Sequence, residues 1–346
     1  MALAIWALPA LQARISARPL AALASRLSPT DMFDAAATPA RLIFGNAMFV
    51  LGLTGGIFLF VGGLMLWVVV RYRSRPSDGN TEPIQIYGSN QIELSWTVIP
   101  ILLVFMLFLT TARVILATES IPKPAGALDV IVIGHQFWWE YRYPSLGIVT
   151  ANELHIPVSD PAHPTPVYLK MSSADTDHSY WVPRLAGKMD LIPNRVNTMW
   201  MDPETPGLYL GQCAQYCGTQ HAKMLLRVYA DTPADFAAWV KQEQAPSAES
   251  ATLTAEQLAG KSVFEHNACM NCHTIAGTGA KGLFGPDLTH MGSRETLGSG
   301  AFTNTPENLK HWIDDPDSLK PGALMPPMHL NEKDLNAVTA YLTTLK

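Results

Sequence analysis

Two long apolar runs dominate the first third of the chain, residues 46–70 without a charge and residues 96–116 broken by Arg113 only near their end. Each reaches the roughly 20 residues needed to cross hydrocarbon, which predicts a transmembrane hairpin over 41–120. Glycines at 52, 55, 56, 62 and 63 would let another helix approach the first span closely. Arg71, Arg73 and Arg75 follow that span at once, which places the connecting loop on the cytoplasmic side and both ends outside. The earlier run Ala2–Leu8 is cut short by Pro9 and Arg14. Residues 1–40 accordingly read as a signal peptide, a mis-assigned start or a disordered leader.

From Leu128 the pattern shortens to β-type runs at 130–133, 137–143, 167–171, 198–201, 208–211 and 224–229, separated by Pro, Gly, Asn and Asp. Such punctuation predicts a sandwich or barrel over 127–230. Helical spacing over 235–244 followed by Ala245-Pro246-Ser247-Ala248 reads as an exit helix and linker, 231–253. Helices resume from 254 to 346: Thr254 and Gln257 have capping-box spacing, and Asn331 is positioned to cap the last helix.

Composition sharpens this picture. Charged residues make up 15% of the 346 and apolar ones 48%, against about 25% charged in a soluble domain. A formal charge of -5 speaks against nucleic acid as a partner. Four cysteines are too few for a disulfide scaffold and fall in two close pairs, 213/217 and 269/272.

The string from Cys213 to Met224 holds two thiols, His221 and a thioether within twelve residues, with Cys213, Cys217 and His221 each four apart. Thiolates with Met select a soft ion, copper ahead of zinc; the plain alternative is a disulfide beside an incidental His and Met. Spacing leaves one copper or two open. Cys269-Met-Asn-Cys272-His273 has the form of a c-type haem attachment site, with His273 as an axial ligand.

Asp175-Thr-Asp-His178-Ser-Tyr-Trp-Val-Pro183, taken with Gly211-Gln-Cys-Ala-Gln-Tyr-Cys-Gly-Thr-Gln-His-Ala-Lys-Met224, resembles subunit II of the haem–copper respiratory oxidases. The resemblance covers the two spans and the β region. It implies a cupredoxin-like barrel with a binuclear copper centre, CuA, bridged by Cys213 and Cys217 and bound by His178, His221, Met224 and the carbonyl of Gln215. The family usually has Glu where Gln215 stands, so its magnesium ion, which prefers carboxylate, is in doubt. Residues 255–346 resemble class I cytochromes c through Gly285-Pro286 and Lys320-Pro-Gly-Ala-Leu-Met325-Pro. That resemblance implies that the Pro286 carbonyl holds the His273 ring and that Met325 is the second axial ligand, with Met328 as runner-up. A His/Met haem suits electron transfer.

Together these imply a multidomain membrane protein: a two-helix transmembrane hairpin, a cupredoxin-like barrel and an all-α cytochrome c domain. Electrons would pass from external cytochrome c or another periplasmic donor to haem c, then to CuA and to the haems of a separate subunit I, where oxygen becomes water with proton translocation. Subunit III is a further expected partner, and the lipid bilayer the medium. The expected place is the bacterial inner membrane, with both cofactor domains on the periplasmic side. This chain holds no catalytic residue for oxygen chemistry. Glu93 matches the family's acidic residue at the mouth of a proton path, or is a solvated helix cap. Phe137 stands where the family commonly has the Trp that receives electrons, and Trp138 or Trp139 could substitute. Asp175 and Asp190 are either donor-docking positions or solvated loop charges, and Trp312 reads as core. The alternatives are a membrane-anchored electron carrier and a CuA subunit serving a nitric-oxide reductase. Quinol oxidases are disfavoured because their equivalent subunit lacks the copper thiolates.

Overall fold

The computed structural model describes residues 30–75, 79, 82, 84–85, 87–119, 123, 126–160, 165–246 and 253–346. The expected leader up to position 29, and linker residues 247–252, lie outside the described residues. The chain falls into two compact units, one of residues 41–122 and one holding the remainder.

Within the first unit, α1 (Thr38–Arg71) and α2 (Asn90–Glu119) contain the apolar runs and extend beyond them at both ends. Their apolar side chains are largely exposed, as expected of a surface made for lipid. Thr54, Ser95 and Thr97 return their hydroxyls to carbonyls four residues back, so these three donors do not need water. Asn46 Nδ2 lies 3.5 Å from Thr111 Oγ1, a polar contact from one helix to the other.

The second unit begins with residues 30–40, expected to belong to a leader. They instead pack onto the β region: Ala36 N–H donates to Arg184 O over 2.8 Å, and Ala37 is fully buried. Within this unit the Asp202 carboxylate accepts from Thr38 N (2.7 Å) and Oγ1 (2.6 Å).

Ten strands then form two five-stranded sheets. The first contains β1 (Leu128–His135), β2 (Trp138–Tyr143), β3 (Ile148–Ala151), β5 (Val167–Ser173) and β8 (Asn197–Met201), in the order β3-β2-β1-β5-β8. The second contains β4 (Glu153–Pro157), β6 (His178–Trp181), β7 (Met189–Leu191), β9 (Gly207–Cys213) and β10 (Leu225–Asp231), in the order β4-β10-β9-β6-β7. Alternate residues turn inward: Val167, Leu169 and Met171 on β5, and Leu226 and Val228 on β10, are fully buried. The β3, β4, β6 and β7 strands, of three to five residues, escaped the sequence pattern because so short a run carries little periodicity. Phe137 and Met224 lie just outside the strands expected to contain them.

Thr232 caps α3 (Pro233–Glu243), the exit helix. The helical domain follows: α4 (Ala255–His266), the one-turn α5 (Cys269–Cys272), a hairpin of β11 (Thr296–Leu297) and β12 (Phe302–Thr303), α6 (Pro306–Asp314), α7 (Pro316–Leu319) and α8 (Glu332–Leu342). The Thr254 capping box and the Asn331 cap are both formed. Gly260 sits where α4 crosses α8; a Cβ there would meet the carbonyl of Ala337. Phe264, Ile275, Leu309, Leu335 and Tyr341 form this domain's own core.

Candidate metal centre and haem cavity

The metal-type cluster is built where β9 ends and β10 begins. Cys213 closes β9 and its N–H donates to Met224 O over 2.9 Å, so the loop between them folds back on itself and brings Cys217, His221 and Met224 to one place. Tyr180 pairs with Cys213 across β6 and β9; His178, two residues earlier on β6, therefore reaches the same place from a distant stretch of chain.

Cys213 and Cys217 are free thiols with Sγ atoms 3.9 Å apart. The other donors divide between them. His178 Nδ1 lies 3.9 Å from Cys213 Sγ and the carbonyl of Gln215 3.2 Å from it. On the Cys217 side stand His221 Nδ1 at 3.8 Å and Met224 Sδ at 3.9 Å. A two-ended set of two shared thiols, with an imidazole at each end, fits a pair of soft ions. The Gln215 side chain is exposed and supplies no carboxylate.

His178 is fully buried, and its Nε2 meets Asp175 Oδ1 at 2.9 Å, which leaves Nδ1 for a metal. Asp175 thus holds a cluster imidazole rather than sitting as a solvated loop charge. Its other oxygen accepts from Gln136 N–H over 2.6 Å. Burial alone would lower the His178 pKa, but Asp175 and Cys213 outweigh it and raise it. The Cys217 thiol, against burial and with help from His178, holds Cys213 far below the ordinary thiol range. Gly134 on β1 leaves room for the His178 ring, since a Cβ there would lie 2.8 Å from its Cδ2.

In the helical domain, α5 presents Cys269 and Cys272, and His273 follows directly. His273 Nδ1 lies 2.8 Å from the carbonyl of Pro286, which commits that nitrogen as donor and leaves Nε2 for a metal. Burial lowers the His273 pKa, which favours the neutral ring. Gly285 stands against this ring: a Cβ there would be 2.5 Å from Cε1.

Cys272, His273, Met325 and Trp312 line a cavity of about 1150 Å³, its open mouth included. The thiols, the oriented imidazole, the thioether and the cavity fit a covalently attached haem. Met325 faces this cavity, whereas Met328 packs against the helical core. Trp312, read from sequence as core, stands in the cavity wall.

Part of the wall comes from the β sandwich: Gln136, Phe137, Trp138, Asn152 and Gln220. The Phe137 ring also abuts Gly218, next to Cys217, where a Cβ would lie 2.9 Å from Cζ and φ is +134°. Trp138 stacks on His135 with centroids 4.1 Å apart. Trp139 is fully buried and instead meets His178 edge-on. Asp190 lies on β7, its carbonyl accepting from Asn197 Nδ2 over 2.7 Å. Sequence reasoning missed Gln136 and Gln220. Gln136 Nε2 donates to the Cys217 carbonyl, and Gln220, 3% exposed, keeps a buried Oε1 that has no hydrogen-bond partner among the described residues. The signal available for Gln220 was only its position beside His221.

Three family profiles match the chain: the cytochrome c oxidase subunit II transmembrane domain over residues 29–114, the periplasmic domain of that subunit over 161–230, and cytochrome c over 257–346. Cytochrome c oxidase subunit 2 of Alkalihalophilus pseudofirmus is 35% identical over 312 residues, covering 89% of this chain and 88% of that one. The protein of the same name from Bacillus sp. strain PS3 is 33% identical over 294 residues, 80% of each chain. Among solved structures, the periplasmic domain of subunit II of cytochrome oxidase from Bradyrhizobium japonicum is 26% identical, with a TM-score of 0.33 over 35% of this chain and 96% of that one.

Proposed function

We propose, for a chain that belongs to the cytochrome c oxidase subunit 2 family, that it is the electron-receiving subunit of a bacterial oxidase and that electrons enter at its helical domain and leave through its β sandwich. Membership makes it part of a haem–copper oxidase, with an electron-transfer role and a subunit I as partner. In this reading Cys269 and Cys272 attach a haem that His273 and Met325 ligate. His178, Cys213, Gln215 O, Cys217, His221 and Met224 hold a copper pair. Both groups, when bound, are one-electron carriers.

The observation that carries the reading is the shared wall. Gln136 and Phe137 border the cavity beside His273 and also touch the backbone of the Cys217 loop. The protein's part is to hold and seal. Buried Trp139 and Tyr180 exclude water from the thiol cluster; Asp175 and Pro286 orient the two imidazoles. An environment that scarcely rearranges suits a carrier that must gain and lose charge. Gln215 offers no anion for magnesium, so that ion is not part of the proposal. Glu93, in the first turn of α2, is proposed as a proton entrance toward subunit I. The proposed setting is the bacterial plasma membrane, with both cofactor domains outside it and subunit III and a periplasmic donor as further partners.

Metal and haem analysis of the purified complex tests this. Two coppers beyond those of subunit I, and one covalent haem per chain, are expected, together with a large multi-span subunit and oxygen consumption. A chain that purifies alone with both groups in place would make it a free-standing carrier. Nitric oxide consumption would replace the oxygen partner.

A further inference from the structure

Two buried polar side chains, a carboxylate and an amine, cross between the β sandwich and the helical domain in opposite directions. Glu153, on β4, is 4% exposed and reaches into the helical domain. Its Oε1 accepts from Thr296 N–H (2.8 Å) and Oγ1 (2.6 Å), and its Oε2 from Glu295 N–H (3.1 Å). Lys320, in the helical domain, is 3% exposed. Its Nζ donates to Gly298 O over 2.8 Å and lies 3.4 Å from Phe137 O in the sandwich. A buried carboxylate or amine is tolerated only where its hydrogen bonds are supplied, and removing those partners is destabilising.

These contacts surround the loop that carries the metal donors. Leu225, next after Met224, exchanges two 3.2 Å hydrogen bonds with Ser299: its N–H donates to Ser299 O and its carbonyl accepts from Ser299 Oγ. Tyr229 donates to Glu295 Oε2 over 2.7 Å. Gly322, at φ +88°, packs against Thr219, so closely that a Cβ would have no room. The segment 295–300, which includes β11, is the docking element.

We propose that Glu153 and Lys320 form a reciprocal clamp that holds the helical domain in one docked position on the sandwich, making both of them positioning residues for electron passage between the His273 cavity and the Cys217 loop. This rests on the function proposed above. One electron leaves the reduced haem and is taken up by the oxidised copper pair; the clamp acts by fixing the distance between the two domains. It also keeps Phe137 and Trp138 covered, so an external donor reaches the thiol cluster only by way of the helical domain.

The test uses the intact complex and three variants, Glu153→Ala, Glu153→Gln and Lys320→Met, with two readouts. Hydrogen exchange reports docking, and the rate of haem-to-copper transfer after photoreduction reports positioning. In Glu153→Ala, exchange of the 295–299 amides should quicken by about tenfold or more, the scale of a lost charge-assisted hydrogen bond. Transfer should slow several-fold while haem content, copper content and haem midpoint stay unchanged. Glu153→Gln, which keeps an acceptor oxygen, should recover most of both. Lys320→Met should loosen the same segment independently of whether Glu153→Ala folds. Unchanged exchange in the Glu153→Ala and Lys320→Met variants, or faster exchange with unaltered transfer, would overturn the clamp. Lack of copper in the unmodified complex would instead overturn the functional reading, with the exchange readout still judging the docking.

Discussion

Gln136 Nε2 donates a 2.5 Å hydrogen bond to the backbone carbonyl of Cys217, so one side chain joins the wall of the His273 cavity to the loop that carries the thiols. Gln136→Ala removes this bond, with a cost of about 0.5–1.5 kcal/mol. The copper absorbance should persist with a small shift, while haem-to-copper transfer becomes slower. Time-resolved absorbance after photoreduction measures the rate; an unchanged rate would separate Gln136 from the electron path.

Cys217 is shared between both ends of the donor set, with Cys213, His221 and Met224 all within 3.9 Å of its sulfur. Cys217→Ser should therefore abolish the near-infrared copper absorbance and leave the c-type haem spectrum intact. Loss of both spectra would indicate misfolding instead.

Met325 faces the cavity and Met328 the helical core. Met325→Leu should drive the haem high-spin or lower its potential, because the thioether is lost as a ligand. Met328→Leu, a volume-conserving core change, should cost under about 1.5 kcal/mol and leave the haem spectrum unaltered. The reverse pattern would exchange the two assignments.

Gly285 has no room for a side chain, since a Cβ would lie 2.5 Å from His273 Cε1 and 2.8 Å from Nδ1. Gly285→Ala should displace the ring, weaken its bond to Pro286 and destabilise the domain by about 1–3 kcal/mol. Haem staining and the oxidised spectrum would show reduced attachment or a high-spin fraction.

Burial, followed by the charge of Lys223, pushes Lys320 from its ordinary 10.5 down to about 7. Between those values the unfolded chain binds a proton there that the folded chain does not. Stability therefore rises as pH climbs through that window, and protonation below it opposes the fold. Chemical denaturation of the full chain at pH 7 and at about 9.5 should show this gain. Lys320→Met should flatten it.

What lies close together along the chain is legible in the sequence alone. The two spans follow from apolar length, and the Thr254 and Asn331 caps from local spacing. Cys213, Cys217, His221 and Met224 share one loop, and Cys269, Cys272 and His273 share one turn. Such groups are brought together by short-range backbone geometry, which spacing encodes. His178 is located in the sequence only through a resemblance, because the β6–β9 pairing that carries it to Cys213 joins residues far apart along the chain. Packing alone decides that Met325 rather than Met328 faces the cavity, that Trp138 borders it while Trp139 is buried in the sandwich, and that residues 30–40 dock rather than trail. The same holds for Glu153 and Lys320. In sequence each is a single charge in an ordinary setting, and its partners are backbone groups of another domain. Every residue carries backbone groups, so no pattern of side chains could name them, and only the tertiary structure could.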